Sequence, residues 1–149
     1  MKKDLILHKE DVYKLNLVLT QIVDKARIDC AIVINKSGKL ITYQSETSDY
    51  DKTSLAALIS GNFASSSSIA NILDETEFTS MLQEGVNKHI YVFLLDENSI
   101  LACIFDKRSN IEKIKTCINS CTPQLVQQLE AIYNNVISDP YINLDISKK

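Results

Sequence analysis

Cys30-Ala31-Ile32-Val33-Ile34, Asn35-Lys36-Ser37-Gly38-Lys39 and Leu40-Ile41-Thr42-Tyr43-Gln44 follow one another without a break, and their reading decides the fold. The first block is wholly apolar and rich in β-branched side chains, the second is built of turn formers, and the third is a second strand. Together they predict a β-hairpin. A strand with no polar position has no face to give to water, so both sides of its sheet must be covered. Further along, His89 to Leu95 and Ser99 to Phe105 are also strand-like, and Ile90–Leu95 and Ile100–Phe105 are apolar on both faces. Asn87-Lys88 and Asp96-Glu97-Asn98 supply turns before and between them, and Phe78 to Gly85 reads as a half-polar strand ahead of them.

Around these strands the period changes. Val12, Leu15, Leu19, Ile22, Val23 and Ala26 recur at the three-and-four spacing of an amphipathic helix from Glu10 to Ala26. A second helical segment runs from about Asp51 to Leu73. A third begins after Ser109, a possible cap, with Ile111, Ile114, Ile118, Cys121, Leu125, Leu129, Ile132 and Val136 on one stripe. Pro123 either kinks this helix or starts a new one with Thr122 as cap. The order is helix, two strands, helix, three strands, helix (αββαβββα). Tight turns inside each strand group require antiparallel pairing. The expected architecture is a three-layer α/β (α+β) sandwich, with residues 1–9 as an N-terminal extension, 10–136 as the domain and 137–149 as a tail. That tail, with Pro140, Ile142, Leu144 and Ile146, reads as loose chain or as an added edge strand.

The 149 residues include 16 Lys+Arg against 19 Asp+Glu, with no basic run beyond Lys2-Lys3, which argues against nucleic-acid binding. Arginine occurs only as Arg27 and Arg108. No run approaches the ~18 apolar residues of a membrane span, and the three apolar residues near the N-terminus are too few for a signal-peptide core. Cys30, Cys103, Cys117 and Cys121 sit in apolar patterns without a CxxC, as buried hydrophobes do in a cytosolic protein. A soluble, cytoplasmic, single-domain protein without membrane insertion is expected.

Thr53 to Leu73 spans 21 residues with no charged side chain. On a helical wheel Leu55, Leu58, Ile59, Phe63, Ile69, Ala70 and Leu73 are expected to face the sheet. Ala57, Ser60, Gly61, Ala64, Ser67, Ser68 and Asn71 fall opposite. A helix face left in water normally carries Lys and Glu; this one carries the smallest side chains, including a glycine that costs about 1 kcal/mol relative to alanine. Another polypeptide is expected to cover it, a second protein chain ahead of a loop or terminal segment of this one; the remaining reading is simple solvent exposure of a poor helix. Nine polar residues rule out a bilayer span. In the strand Phe78–Gly85, Thr79, Met81, Gln83 and Gly85 lie on one side, and Phe78, Ser80, Leu82 and Glu84 on the other. As the most polar strand it belongs at a sheet edge, where it can pair with a copy of itself or be shielded by the tail.

No catalytic machinery is legible. GxxxxGK[ST] and GxGxxG are absent, His8 and His89 are isolated, and Cys117 and Cys121 lack two further ligands. The serine run has no neighbouring base, and Asp74, Glu75 and Glu77 read as a solvated helix end. Neither a cofactor, a metal nor an enzyme active site is expected.

Four segments, in this order, resemble the Roadblock family, and most closely its bacterial branch of MglB-type regulators of Ras-like GTPases. They are Val33 to Ile41; Leu55 to Ser66; Glu84-Gly85 leading into His89 to Val92; and Ile104 to Ser109. The resemblance spans about residues 10–135. It implies a five-stranded antiparallel sheet with the middle helix on one face and the first and last helices on the other. It also implies a homodimer joined through the third strand with the middle helices side by side. The implied partner is a small Ras-like GTPase (MglA-type) whose GTP hydrolysis the dimer promotes, in cell polarity or motility. Arg108 is the candidate contact with it. The alternative within the same family is a non-catalytic dimeric scaffold that tethers motor or signalling proteins. The Ser65–Ser68 run, Pro123 and the tail after Val136 depart from the family pattern.

Overall fold

The computed structural model describes residues 7–46 and 49–138, with side chains described as far as Asn134. The elements are α1 (Lys9–Ala26), β1 (Cys30–Asn35), β2 (Leu40–Ser45), α2 (Lys52–Ile72), β3 (Ser80–Glu84), β4 (His89–Leu94), β5 (Ser99–Phe105) and α3 (Ile111–Ser138). The five strands form one antiparallel sheet in the order β2-β1-β5-β4-β3. The expected αββαβββα sandwich is therefore the observed one.

The all-apolar strands explain the layers. In β1, alternate side chains go to opposite faces, so Ala31 and Val33 join α1 and α3 while Cys30, Ile32 and Ile34 join α2. On the first face Leu15, Leu19 and Ile22 of α1 meet Ile114, Ile118, Leu125 and Leu129 of α3 over Leu101 and Cys103, all essentially solvent-free. On the second, Ala56, Ile59 and Phe63 of α2 pack on Ile32, Ile34, Ile100 and Val92. β5, at the centre of the sheet, is buried along its whole length.

Local chemistry sets the boundaries. Arg27 closes α1 in the left-handed region (φ 57°) with its N–H on the Val23 carbonyl. Gly38 turns the β1–β2 hairpin at φ 103°, a conformation that suits glycine. Asp51 caps α2, accepting from the Ser54 N–H. At α3 the cap is Asn110 rather than Ser109: its Oδ1 accepts the Lys113 N–H at 2.9 Å. The Ser109 hydroxyl donates instead to the Ala26 carbonyl and ties the start of α3 to the end of α1.

α3 runs continuously through Pro123. The Thr122 hydroxyl donates to the Ile118 carbonyl at 2.6 Å, beside the point where proline has no N–H to give. The third strand is shorter than the expected Phe78–Gly85. At one end the Lys36–Glu77 ion pair (2.6 Å) holds the incoming loop against the first hairpin, and at the other Gly85 opens a turn by donating to the Lys88 carbonyl. The tail from 139 onward, including the expected edge strand, lies outside the described residues.

Candidate docking surface

α2 presents two kinds of surface. Its sheet-facing side is Ala56, Ile59, Ser60, Phe63, Ser66 and Ala70. This corrects the wheel drawn from sequence, which turned Leu58, Ile69 and Leu73 inward. They are 72%, 56% and 62% exposed, Ile72 is 81% exposed, and Leu55 is partly buried. The wheel assumed that all large apolar side chains share one stripe; here they occupy two, and the stripe of Ile59 and Phe63 is the one that fills the sheet core. Ser60 departs in the other direction. Expected on the open face, it is buried, and its Oγ lies 3.3 Å from where a Cβ on Gly38 would be. Small side chains at Ala57 and Ser60 thus let the β1–β2 turn come close to the helix.

Ala57 is nonetheless exposed, and of the remaining small residues Gly61, Ala64, Ser68 and Asn71 are exposed and Ser67 is half-buried. A Cβ on Gly61 would meet nothing within 4 Å, so among the described residues no segment of the chain lies over it. Beside them Leu58, Asn62, Ser65, Ile69 and Ile72, all exposed, follow at alternating spacings of four and three. That is the repeat by which one helix pairs with another. Sequence reasoning missed this seam because its polar members, Asn62 and Ser65, hid the pattern.

β3 is one of the two outer strands of the sheet. Met81 leans into the α2-side core, whereas Thr79 and Gln83 are exposed, and Gly85 belongs to the following turn. That turn contains Val86, 97% exposed. Among the described residues the α2 seam and β3 both stand exposed, and the seam carries the exposed apolar groups, Leu58, Ile69 and Ile72, of the kind that mark interaction sites.

Arg108 has a different setting. The carboxylate of Asp29, 2% exposed, receives Arg108 and Lys88 together, and the Tyr50 hydroxyl at 3.2 Å. The same guanidinium reaches Asp106 at 3.0 Å and Glu46 at 3.1 Å. Hydrogen bonds from the Arg108 backbone and side chain pull the Asp106 carboxyl down to about 2. Asp106 in turn holds Arg108 above its ordinary range, and the Asp29 contact raises Lys88. One buried acid thus ties together the loop before α2, the β3–β4 turn and the β5–α3 loop. Asp29 carried no sequence signal, because only its position at the head of β1 makes it buried.

All four cysteines are free thiols; Cys30, Cys103 and Cys121 are buried and Cys117 half-buried. Among the described residues no group of three or more His, Cys, Asp or Glu is placed to hold a metal, and no helix is long and apolar enough to cross a membrane.

An antiparallel sheet thus lies between one helix and a helix pair, with the seam of α2 and the β3 edge exposed among the described residues. The chain belongs to the Roadblock/LC7 domain family, whose profile matches residues 14–105. It is similar to Myxococcus xanthus MglB, at 27% identity over 86% of this chain and 96% of that one (TM-score 0.79). The fold is shared with a gliding protein MglB from Thermus thermophilus, at 21% identity over 88% and 99% of the two chains (TM-score 0.81). It is shared also with an MglB described in a tetrameric arrangement, at 20% identity over 89% and 99% (TM-score 0.83). No curated protein sequence matches the chain.

Proposed function

We propose that this chain is a homodimeric, cytoplasmic regulator that binds a small Ras-like GTPase of the MglA type and promotes its GTP hydrolysis, in cell polarity or motility. It has no active site of its own. The observation that carries the reading is the uncharged, exposed side of α2, with its seam Leu58, Asn62, Ser65, Ile69 and Ile72, in a chain of the Roadblock/LC7 family similar to an MglB. In the dimer two such seams pair, β3 meets β3 of the second copy, and the joined surface docks the GTPase.

The arrangement of Arg108 bears on mechanism. A finger arginine must be free to reach the transferred phosphate, where it is worth about 10³ to 10⁵ in rate. Arg108 is instead held by Asp29, Asp106 and Glu46. The dimer is accordingly read as holding the GTPase's own residues in a competent arrangement rather than donating an arginine. The test is a single-turnover GTPase assay with the small GTPase encoded nearest this gene. A concentration-dependent rise in rate with formation of a stable complex supports the regulator. Complex formation with no change in rate would turn the reading to the scaffold alternative, and no complex would refute the regulator.

A further inference from the structure

β3 is an outer strand of the sheet, and the hydrogen bonds at its two ends decide which of its backbone groups are taken. The Leu94 N–H donates to the Thr79 carbonyl at 2.8 Å, and the Gly85 N–H donates to the Lys88 carbonyl at 3.0 Å. Between them Met81 pairs with Val92 and Gln83 with Ile90 in unbroken register. Hydrogen-bonded pairs alternate along an antiparallel ladder, so Thr79, Met81, Gln83 and Gly85 turn their N–H and C=O groups to the β4 side. Those of Ser80, Leu82 and Glu84 point to the open edge, where a further strand can bond to them.

Side chains restrict which strand that is. Phe78, Leu82 and Val86 lie four residues apart, symmetrically about Leu82; Phe78 is half-buried, Leu82 is 38% exposed and Val86 is 97% exposed. An antiparallel copy of the same strand bonds to this edge only where outward-pointing residues oppose one another. Leu82 then stands opposite Ser80, Leu82 or Glu84 of the copy. The first choice sets Phe78 against Glu84, and the last sets Val86 against Ser80. Leu82 opposite Leu82 brings Ser80, Leu82 and Glu84 of both copies into the ladder and sets Phe78 against Val86 on either side of the centre. Apolar cross-strand pairs of this kind stabilise a ladder.

The seam on α2 has the same symmetry. Reversed about Ser65, it places Leu58 opposite Ile72 and Asn62 beside Ile69. A two-fold axis normal to the sheet at Leu82 keeps both α2 helices on one face and runs them antiparallel, as that pairing requires.

We propose that two copies join β3 to β3 antiparallel with Leu82 on the two-fold axis, Ser80 opposite Glu84, and Phe78 of each copy against Val86 of the other. This rests on the homodimer put forward above and fixes its register. It also names Phe78 and Val86 as the residues that make the edge selective for its own kind.

The test is disulfide trapping of the full chain under mild oxidation, with the mass of each variant in reducing buffer measured in parallel. Directly opposite Cα atoms lie about 5.5 Å apart, within disulfide range, whereas four residues of strand separate groups by about 13 Å. Leu82→Cys is therefore expected to link to its own copy. Ser80→Cys and Glu84→Cys should each stay unlinked alone and link when mixed, against the unsubstituted chain as baseline. Val86→Ser should weaken the dimer about five- to tenfold. All these positions are exposed or half-buried, so the variants keep the fold. A dimer that traps in another pattern, or that is indifferent to Val86→Ser, would overturn the register and leave the dimer standing. A single-chain mass in reducing buffer would overturn both.

Discussion

Replacing Ile72 by glutamate tests the α2 seam at its most exposed point. In the single chain the side chain is 81% in water, so the substitution touches no core group and the folded monomer should change by less than about 0.5 kcal/mol. If two copies pair through the seam, that area leaves water in both. Burying an isoleucine contributes about 1.5–2.5 kcal/mol, and two-fold symmetry counts it twice, giving about 3–5 kcal/mol. The loss corresponds to a dimer weakened by two or more powers of ten, before the cost of placing two carboxylates near one another. Sedimentation velocity across a dilution series reads the dissociation constant directly, and circular dichroism checks that the monomer stays folded. Ile72→Glu that dimerises with unchanged affinity would refute the assignment of the seam. Leu58→Glu (72% exposed) should behave alike, whereas Lys113→Glu, on an exposed part of α3, should have no effect on dimerisation.

Further outcomes follow from the same geometry. Gly85→Ala places a Cβ 2.5 Å from the Lys88 carbonyl oxygen, and should cost about 1–3 kcal/mol in denaturant unfolding and disturb the β3–β4 turn. Tyr133→Phe removes the hydroxyl that meets Ser99 Oγ at 2.6 Å and accepts from Asn35 at 2.9 Å. The fully buried Ser99 is then left without that partner, at a cost of about 1–2 kcal/mol by the same measurement. Asp106 has a folded-state value below its unfolded one, so its contribution is present above about pH 4 and is lost as pH falls toward about 2. Melting temperatures of Asp106→Asn should therefore fall less steeply than those of the unsubstituted chain across that window. Arg108→Ala should lower the melting temperature at pH 7 while leaving GTPase stimulation in place; loss of stimulation in a folded dimer would restore the arginine as a direct contact.

The layers were legible because β1, β4 and β5 carry apolar residues at almost every position, which leaves no choice but helices on both faces. The order of elements followed from the change of period between two and 3.6. What the sequence could not assign was rotation. α2 carries two apolar stripes, and only the docked structure shows that Ala56, Ile59 and Phe63 pack inward, with Ser60 beside the Gly38 turn. The α3 cap illustrates the same limit: Ser109 and Asn110 are both good caps, and only the proximity of the Ala26 carbonyl decides that the serine is spent elsewhere. Asp29 escaped notice because its polar partners, Tyr50, Lys88, Arg108 and the end of β2, come from distant parts of the chain. A small, neutral helix surface was readable as something to be covered, yet its large apolar neighbours only became visible as exposed once the helix was docked.

Light scattering coupled to gel filtration, run at micromolar concentration on the unsubstituted chain, addresses the self-association on which the account rests. A mass of twice the 16.8 kDa chain, falling to a single chain in Ile72→Glu, is the predicted result. A single-chain mass at every concentration, unchanged by the substitution, would contradict it.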